Sequence, residues 1–207
     1  MISIIEIFHS LQGETTKAGF PTVFIRMAGC NLRCVYCDTQ YAWEEGIQMA
    51  IDEIVKTVES FHCKLVEITG GEPLEQPELP DLCEKLLSKG FSILLETNGT
   101  LDISKIPQKV VKAIDIKCPG SNESGKFLYD NLKHLSPKDE LKFVISSKED
   151  FIWAISEIEK HDLLSICTIN ISPVAGVLNN AEVARWIIDS GKNLRLNLQL
   201  HKIIEIK

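Results

Sequence analysis

No stretch of the 207-residue chain holds the roughly 18 consecutive apolar residues that a membrane-spanning helix needs, so none is expected. Nor does Met1-Ile2-Ser3-Ile4 carry the basic start of an export signal. The expected location is the cytoplasm. Basic surface is also scarce: 22 Lys and Arg face 29 Asp and Glu, the net charge is -7, the pI is near 5.3, and no basic stripe is visible. That argues against a nucleic-acid or anionic-membrane partner and for a small molecule. Internal repeats, low-complexity tracts and long linkers are missing, so residues 1–207 read as one domain, with 44% apolar residues to fill its core. Seven cysteines, an odd number without an export signal, argue against a disulfide framework.

What stands out is Cys30-Asn31-Leu32-Arg33-Cys34-Val35-Tyr36-Cys37, preceded by Gly29 and followed by Asp38-Thr39. The run Thr22-Val23-Phe24-Ile25-Arg26-Met27 before it is β-branched and apolar enough for a buried strand, which puts the cysteines on the loop at its C-terminal end. Open α/β sheets and barrels place their chemistry there. Structural zinc closes all four of its positions and cubane clusters usually take four thiolates, so three local thiolates leave one metal position free. A zinc site completed by His62 or Cys63 is the competing reading, and a zinc-stabilised binding module the corresponding function.

The C-x-x-x-C-x-x-C spacing and its neighbours resemble the cluster motif of the radical S-adenosylmethionine (SAM) superfamily. The resemblance implies a 4Fe-4S cluster on Cys30, Cys34 and Cys37 and, on its open iron, SAM, whose one-electron cleavage yields a hydrogen-abstracting 5'-deoxyadenosyl radical. An activating enzyme that installs a glycyl radical on a partner would use the same three cysteines.

Upstream, Gln12-Gly13-Glu14 offers an amide, an approachable backbone and an acceptor-only carboxylate, a trio able to read a heterocycle edge, although an ordinary solvated loop has the same composition. Arg26 sits in an apolar strand and needs an anion, either a structural carboxylate or a substrate one. Leu11-Gln12-Gly13-Glu14, Val23-Phe24-Ile25-Arg26 and the run Gly29 to Thr39 together resemble the N-terminal signature of the 7-carboxy-7-deazaguanine synthase family. That resemblance implies a pterin substrate held by Gln12, Gly13, Glu14, Arg26, Thr69 and the terminal Lys207, and a magnesium ion on Thr39. It also implies SAM contacts from Tyr36, Cys37, Asp38, Gly71, Glu96, Asn98, Cys118, Pro119, Gly120 and Ser172, and an electron donor such as a flavodoxin or ferredoxin. Thr15 departs from the family, which often has glycine there, and Cys118-Pro119-Gly120 stands where the family often shows Ser-Pro-Lys.

Residues 2–8 read as a short strand; residues 64–69, 92–95, 110–116, 141–145 and 167–171 read as further strands after 22–27. Apolar residues at helical spacing mark helices over 51–60, from Leu79 to a stop at Gly90, from a capping box at Ser147-Lys148-Glu149-Asp150, and over 181–189. Residues 121–138 are polar, with room for one short helix at 127–134, and 194–200 alternates like a last strand. Gly70-Gly71-Glu72-Pro73 breaks its strand as a turn or as a flat ligand cradle, and an Asn-Gly turn accounts for Asn98 as readily as a ribose does. The alternation predicts an α/β fold: a partial, abbreviated radical-SAM type (β/α)6 barrel with a mostly parallel six-stranded sheet. Its open side invites cover by a second copy, hence a homodimer.

Overall fold

Residues 1–206 are described by the computed structural model. The chain opens with β1 (Ile2–Leu11), which turns back antiparallel onto β2 (Pro21–Met27), and β3 (Ile47–Met49) pairs with the outer edge of β1. After α1 (Ile51–Glu59) come β4 (Leu65–Gly70), α2 (Leu79–Ser88), β5 (Ser92–Thr97) and β6 (Val111–Asp115). Then follow β7 (Glu140–Ile145), α3 (Lys148–Lys160), β8 (Thr168–Pro173), α4 (Asn180–Asp189), β9 (Arg195–Leu196) and a one-turn α5 (Leu200–Ile203). The sheet order is β3-β1-β2-β4-β5-β6-β7-β8-β9, parallel from β2 onward.

The six strands expected of the barrel are the continuous parallel run from β2 to β8; β1 and β9, also expected as strands, and β3, which was not, extend the sheet to nine. Residues 9–11, read as loop, stay extended because they pair with 21–23 across the hairpin. The helical coat is reduced as the polar stretch implied: no α-helix joins β5 to β6, and a 3-10 helix, Tyr129–His134, lies in the β6–β7 connection. Ser147 caps α3 by accepting from the Asp150 amide at 3.2 Å, but the Asp150 carboxylate turns away to the Gly120 and Ser146 amides, so the expected reciprocal box is half made.

Alternation along the strands separates a dry layer from a wet one. Val23, Ile25 and Met27, Val66 and Ile68, Ile93 and Leu95, Ile114, and Leu141, Phe143 and Ile145 join one core cluster. The helices close that face with Ile54, Val55 and Val58 of α1, Leu82 and Leu86 of α2, Phe151 and Ile158 of α3, and Val183 and Ile187 of α4. Each such side chain contributes about 1.5–3 kcal/mol on burial. The intervening residues Phe24, Arg26, Glu67, Thr69, Glu96, Asp115, Lys142 and Val144 line a cavity on the opposite face. The sheet curls round it, for the Thr16 amide beyond β1 donates to Glu140 of β7 at 3.0 Å. The end strands β3 and β9 do not pair with each other, so the barrel stays open.

The last expected strand is shorter than its alternation suggested. Only Arg195 and Leu196 join the ladder. Beyond them Asn197 donates to Ser172 Oγ at 2.9 Å, Gln199 to Glu14 Oε1 at 2.9 Å and the Leu200 amide to Gly13 O at 2.8 Å, which draws the chain off the sheet and across the cavity mouth.

Candidate active site

The cavity has a volume of about 510 Å³, within the usual range for a small-molecule site. Cys30, Cys34 and Cys37 line it, all three with free thiols. Their loop is pinned from several sides: the Arg33 amide donates to Glu123 at 2.6 Å, the Val35 amide to Ser121 O at 3.2 Å, and Asn98 Nδ2 to Asn31 Oδ1 at 2.9 Å. Gly71 lies flat beneath it. A Cβ there would meet Gly29 O at 1.7 Å and Cys30 Cβ at 3.0 Å, so the close approach requires glycine. Burial pushes the Cys30 and Cys34 thiols up, opposed at Cys30 chiefly by the Leu32 amide and at Cys34 by Lys117.

These residues fit a cubane with an open iron. Cys63, Cys83, Cys118 and Cys167 do not line the cavity, so no further thiol reaches it. Among the described residues no three His, Cys, Asp or Glu side chains are grouped as one metal ion would need. Zinc draws its thiolates together at about 2.3 Å from one centre, whereas a cubane spreads them over separate irons. The zinc reading loses its ligands as well, for Cys63 is bonded to Pro21 O at 3.2 Å, away from the cavity.

On the wall facing the cysteines, ionisable side chains are paired through space. Lys142 Nζ donates to Glu14 Oε2 at 3.0 Å and to Glu96 Oε1, with Asp115 Oδ2 at 3.8 Å. Burial works against its charge, yet Glu14, then Glu96 and Asp115, hold its pKa well above the ordinary value. Burial likewise opposes the charge on Glu96, and Lys142 overrides it, keeping that carboxyl below the usual range. Glu67 goes the other way: burial, then the Glu96 charge, push it well up, and the neutral amide of Gln12 donates to it. The site therefore sets a carboxyl pushed up by burial beside one held down by Lys142, the contrast that acid–base chemistry exploits. Glu72, buried and accepting from the Asn98 amide (2.7 Å), Thr97 Oγ1 (2.6 Å) and the Leu74 amide (3.0 Å), is pushed up to about 7 by burial.

Arg26 takes the structural option for one nitrogen: Nε donates to Glu6 Oε1 at 2.9 Å, leaving its other N–H groups in a side chain that lines the cavity. The side chain lies beside the Phe8 and Tyr41 rings, 5.9 and 5.8 Å from their centroids. Thr15 has φ 61°, a left-handed backbone that disfavours a β-branched residue and suits glycine. His201 is a cavity residue rather than a core histidine, packed so close that a Cβ on Gly13 would meet its Nδ1 at 1.9 Å.

Of the residues expected from the sequence, Gln12, Gly13, Glu14, Arg26, Cys30, Cys34, Tyr36, Cys37, Asp38, Thr39, Thr69, Gly71, Glu96 and Asn98 all line this one cavity. Cys118 is instead buried in the core, Pro119 is exposed, the Gly120 amide donates to Asp150, and Ser172 accepts from Asn197, none of them on the cavity wall. Lys207 lies outside the described residues. Glu67, Lys117, Lys142, Gln199 and Lys202 were not foreseen. Charged residues inside apolar strands, as in Leu65-Val66-Glu67-Ile68 and Leu141-Lys142-Phe143, were the available signal.

Residues 24–187 match the Radical SAM superfamily, which defines the class of the fold and its cysteine loop. The chain is 38% identical to a 7-carboxy-7-deazaguanine synthase from Koribacter versatilis and 40% identical to one from Chlorobaculum tepidum, covering 98% of this chain in both cases and 96% and 94% of those proteins. Among solved structures it is similar to QueE from Escherichia coli, with TM-score 0.77 and 26% identity over 97% of this chain and 94% of that one. The chain belongs to the 7-carboxy-7-deazaguanine synthase family of radical SAM enzymes.

Proposed function

We propose that the chain, as one domain over residues 1–207, converts 6-carboxy-5,6,7,8-tetrahydropterin to 7-carboxy-7-deazaguanine with release of ammonia. The observation that carries this reading is the meeting of the three cysteines with Gln12, Gly13, Glu14, Arg26 and Thr69 around one cavity. When bound, a 4Fe-4S cluster and SAM supply one-electron cleavage and hydrogen abstraction. Cys30, Cys34 and Cys37 hold the cluster, while Gly71, Tyr36, Asp38, Glu96 and Asn98 hold SAM beside it. Gln12 is locked by Glu67 and by the Glu14 amide at 3.0 Å, which fixes the loop so that the Glu14 carboxylate accepts from the pterin's N–H edge. The Arg26 N–H groups not bonded to Glu6 pair with the substrate carboxylate. Glu67, whose carboxyl burial pushes well up, is the candidate to hand a proton to the departing amine, and Glu96, held down by Lys142, is not.

Magnesium fits only with help from the substrate. Thr39 Oγ1 is bonded to Asp38 Oδ1 at 3.0 Å, and Asp38 is paired with Lys202, so these residues give a hard cation one hydroxyl, and substrate oxygens and water must supply the rest. A flavodoxin or ferredoxin as reductant, a cytoplasmic setting and a homodimer covering the open side complete the reading. The test is turnover by anaerobically reconstituted, reduced protein with SAM and the carboxytetrahydropterin. A product with the mass of the deazaguanine acid is expected, lost by at least about a thousandfold in Cys34→Ala. Cluster-loaded protein that cleaves SAM but leaves this pterin unchanged would overturn the substrate assignment.

A further inference from the structure

Lys142 belongs to no motif, yet it is the most heavily engaged cation of the cavity. Its side chain is 6% exposed and reaches Glu14 from the loop after β1, Glu96 from β5 and Asp115 from β6. We infer that Lys142 is a positioning residue for both ligands, tying the Glu14 carboxylate on the pterin side to the Glu96 carboxylate on the SAM side. This rests on the functional reading above, which assigns those two carboxylates to two different molecules.

The charges around it explain why one ammonium must do this. Three carboxylates, Glu14, Glu96 and Asp115, line the same cavity, and the Glu67 carboxyl joins them there. Lys117 is engaged with Asp115 at 2.8 Å, and Arg195 from β9 is engaged with Asn170 and Asn197 at 2.9 and 2.7 Å. Asn197 and Gln199 add neutral donors to Glu14 at 3.3 and 2.9 Å, but they cannot offset its charge. Remove the ammonium and two adjacent carboxylates repel until one moves or takes up a proton. Either response misplaces a group that faces a ligand. An ion pair that served stability alone would have no reason to bridge three elements on the cavity wall.

Lys142→Met keeps much of the stem's bulk and removes the charge, whereas Lys142→Arg keeps the charge on a wider fork. In cluster-loaded Lys142→Met, the half-saturating concentrations of both pterin and SAM are expected to rise roughly tenfold or more. The acid limb of its pH–rate profile moves to higher pH, because Glu96 loses the cation that holds its carboxyl down. In Lys142→Arg both concentrations rise only several-fold and the acid limb stays in place. Unchanged concentrations and an unmoved limb in Lys142→Met, even with a lowered unfolding temperature, would reduce the lysine to packing and overturn the inference. If the methionine variant does not fold, Lys142→Arg decides alone: wild-type values for both ligands would overturn it. Failure of the unmodified protein to process the pterin strikes the functional reading instead.

Discussion

The cavity has two walls built on different principles. On one, β2, β4 and β5 end in contiguous runs, Gly29 to Thr39, Gly70 to Pro73 and Glu96 to Thr100, whose members are neighbours in the chain and in space. On the other, β6, β7 and the segment after β9 contribute single residues, Asp115, Lys117, Lys142, Gln199 and Lys202, and the last three find partners far away in the chain. The first wall is held together by backbone packed on backbone, as the absence of room at Gly71 against Gly29 O shows. The second is an electrostatic surface that exists only once the sheet has curled. The first wall is thus written in local motifs, and the second in tertiary contacts.

Changing Glu72 attacks the first wall at its hinge. Glu72→Gln keeps the shape but cannot accept at both oxygen positions, leaving the Asn98 or the Thr97 donor unpaired at a cost of about 1–3 kcal/mol. The pH dependence has a definite sign. Because the folded carboxyl is raised from 4.5 to about 7, the folded state binds more protons between those values than the unfolded state does. The stabilisation of wild type over Glu72→Gln is therefore full below the unfolded pKa and fades as pH rises through the folded one. Urea midpoints from pH 4 to pH 8 check it, and a pH-independent difference would show that the Glu72 carboxyl titrates alike in the folded and unfolded states.

A smaller effect is expected where the walls are joined. Lys202 pairs with Asp38, both partly exposed at 35% and 52%, so Lys202→Ala should lower stability by less than about 1 kcal/mol, and by less still in high salt. Thermal unfolding at two ionic strengths measures this. A large, salt-insensitive loss would mean that the segment after β9 locks the cavity rather than merely covering it.

The same division decides what was legible in the sequence. The cysteine spacing and the glycine pair could be read because their chemistry needs residues at fixed short intervals. The core strands could be read because alternation survives in Val66-Glu67-Ile68-Thr69 and Leu141-Lys142-Phe143. What these strands did not reveal is the purpose of the polar member, since Lys142 finds Glu14 only through the curl of the sheet. β3, with three residues at an edge, offers too short a pattern to detect. The stretch 194–200 alternates as a strand does, but side-chain bonds from Asn197 and Gln199 outcompete the ladder. Cys118 looked like part of a cofactor loop, and its position in the core follows from burial that spacing cannot express.

The central claim is that Cys30, Cys34 and Cys37 hold a cluster whose remaining iron is left for a small molecule. Electron paramagnetic resonance of reduced, oxygen-free protein, recorded before and after adding SAM, tests it most directly. Iron with sulfide and a cluster signal reshaped by SAM is the predicted result; zinc without sulfide, or a signal indifferent to SAM, would contradict it.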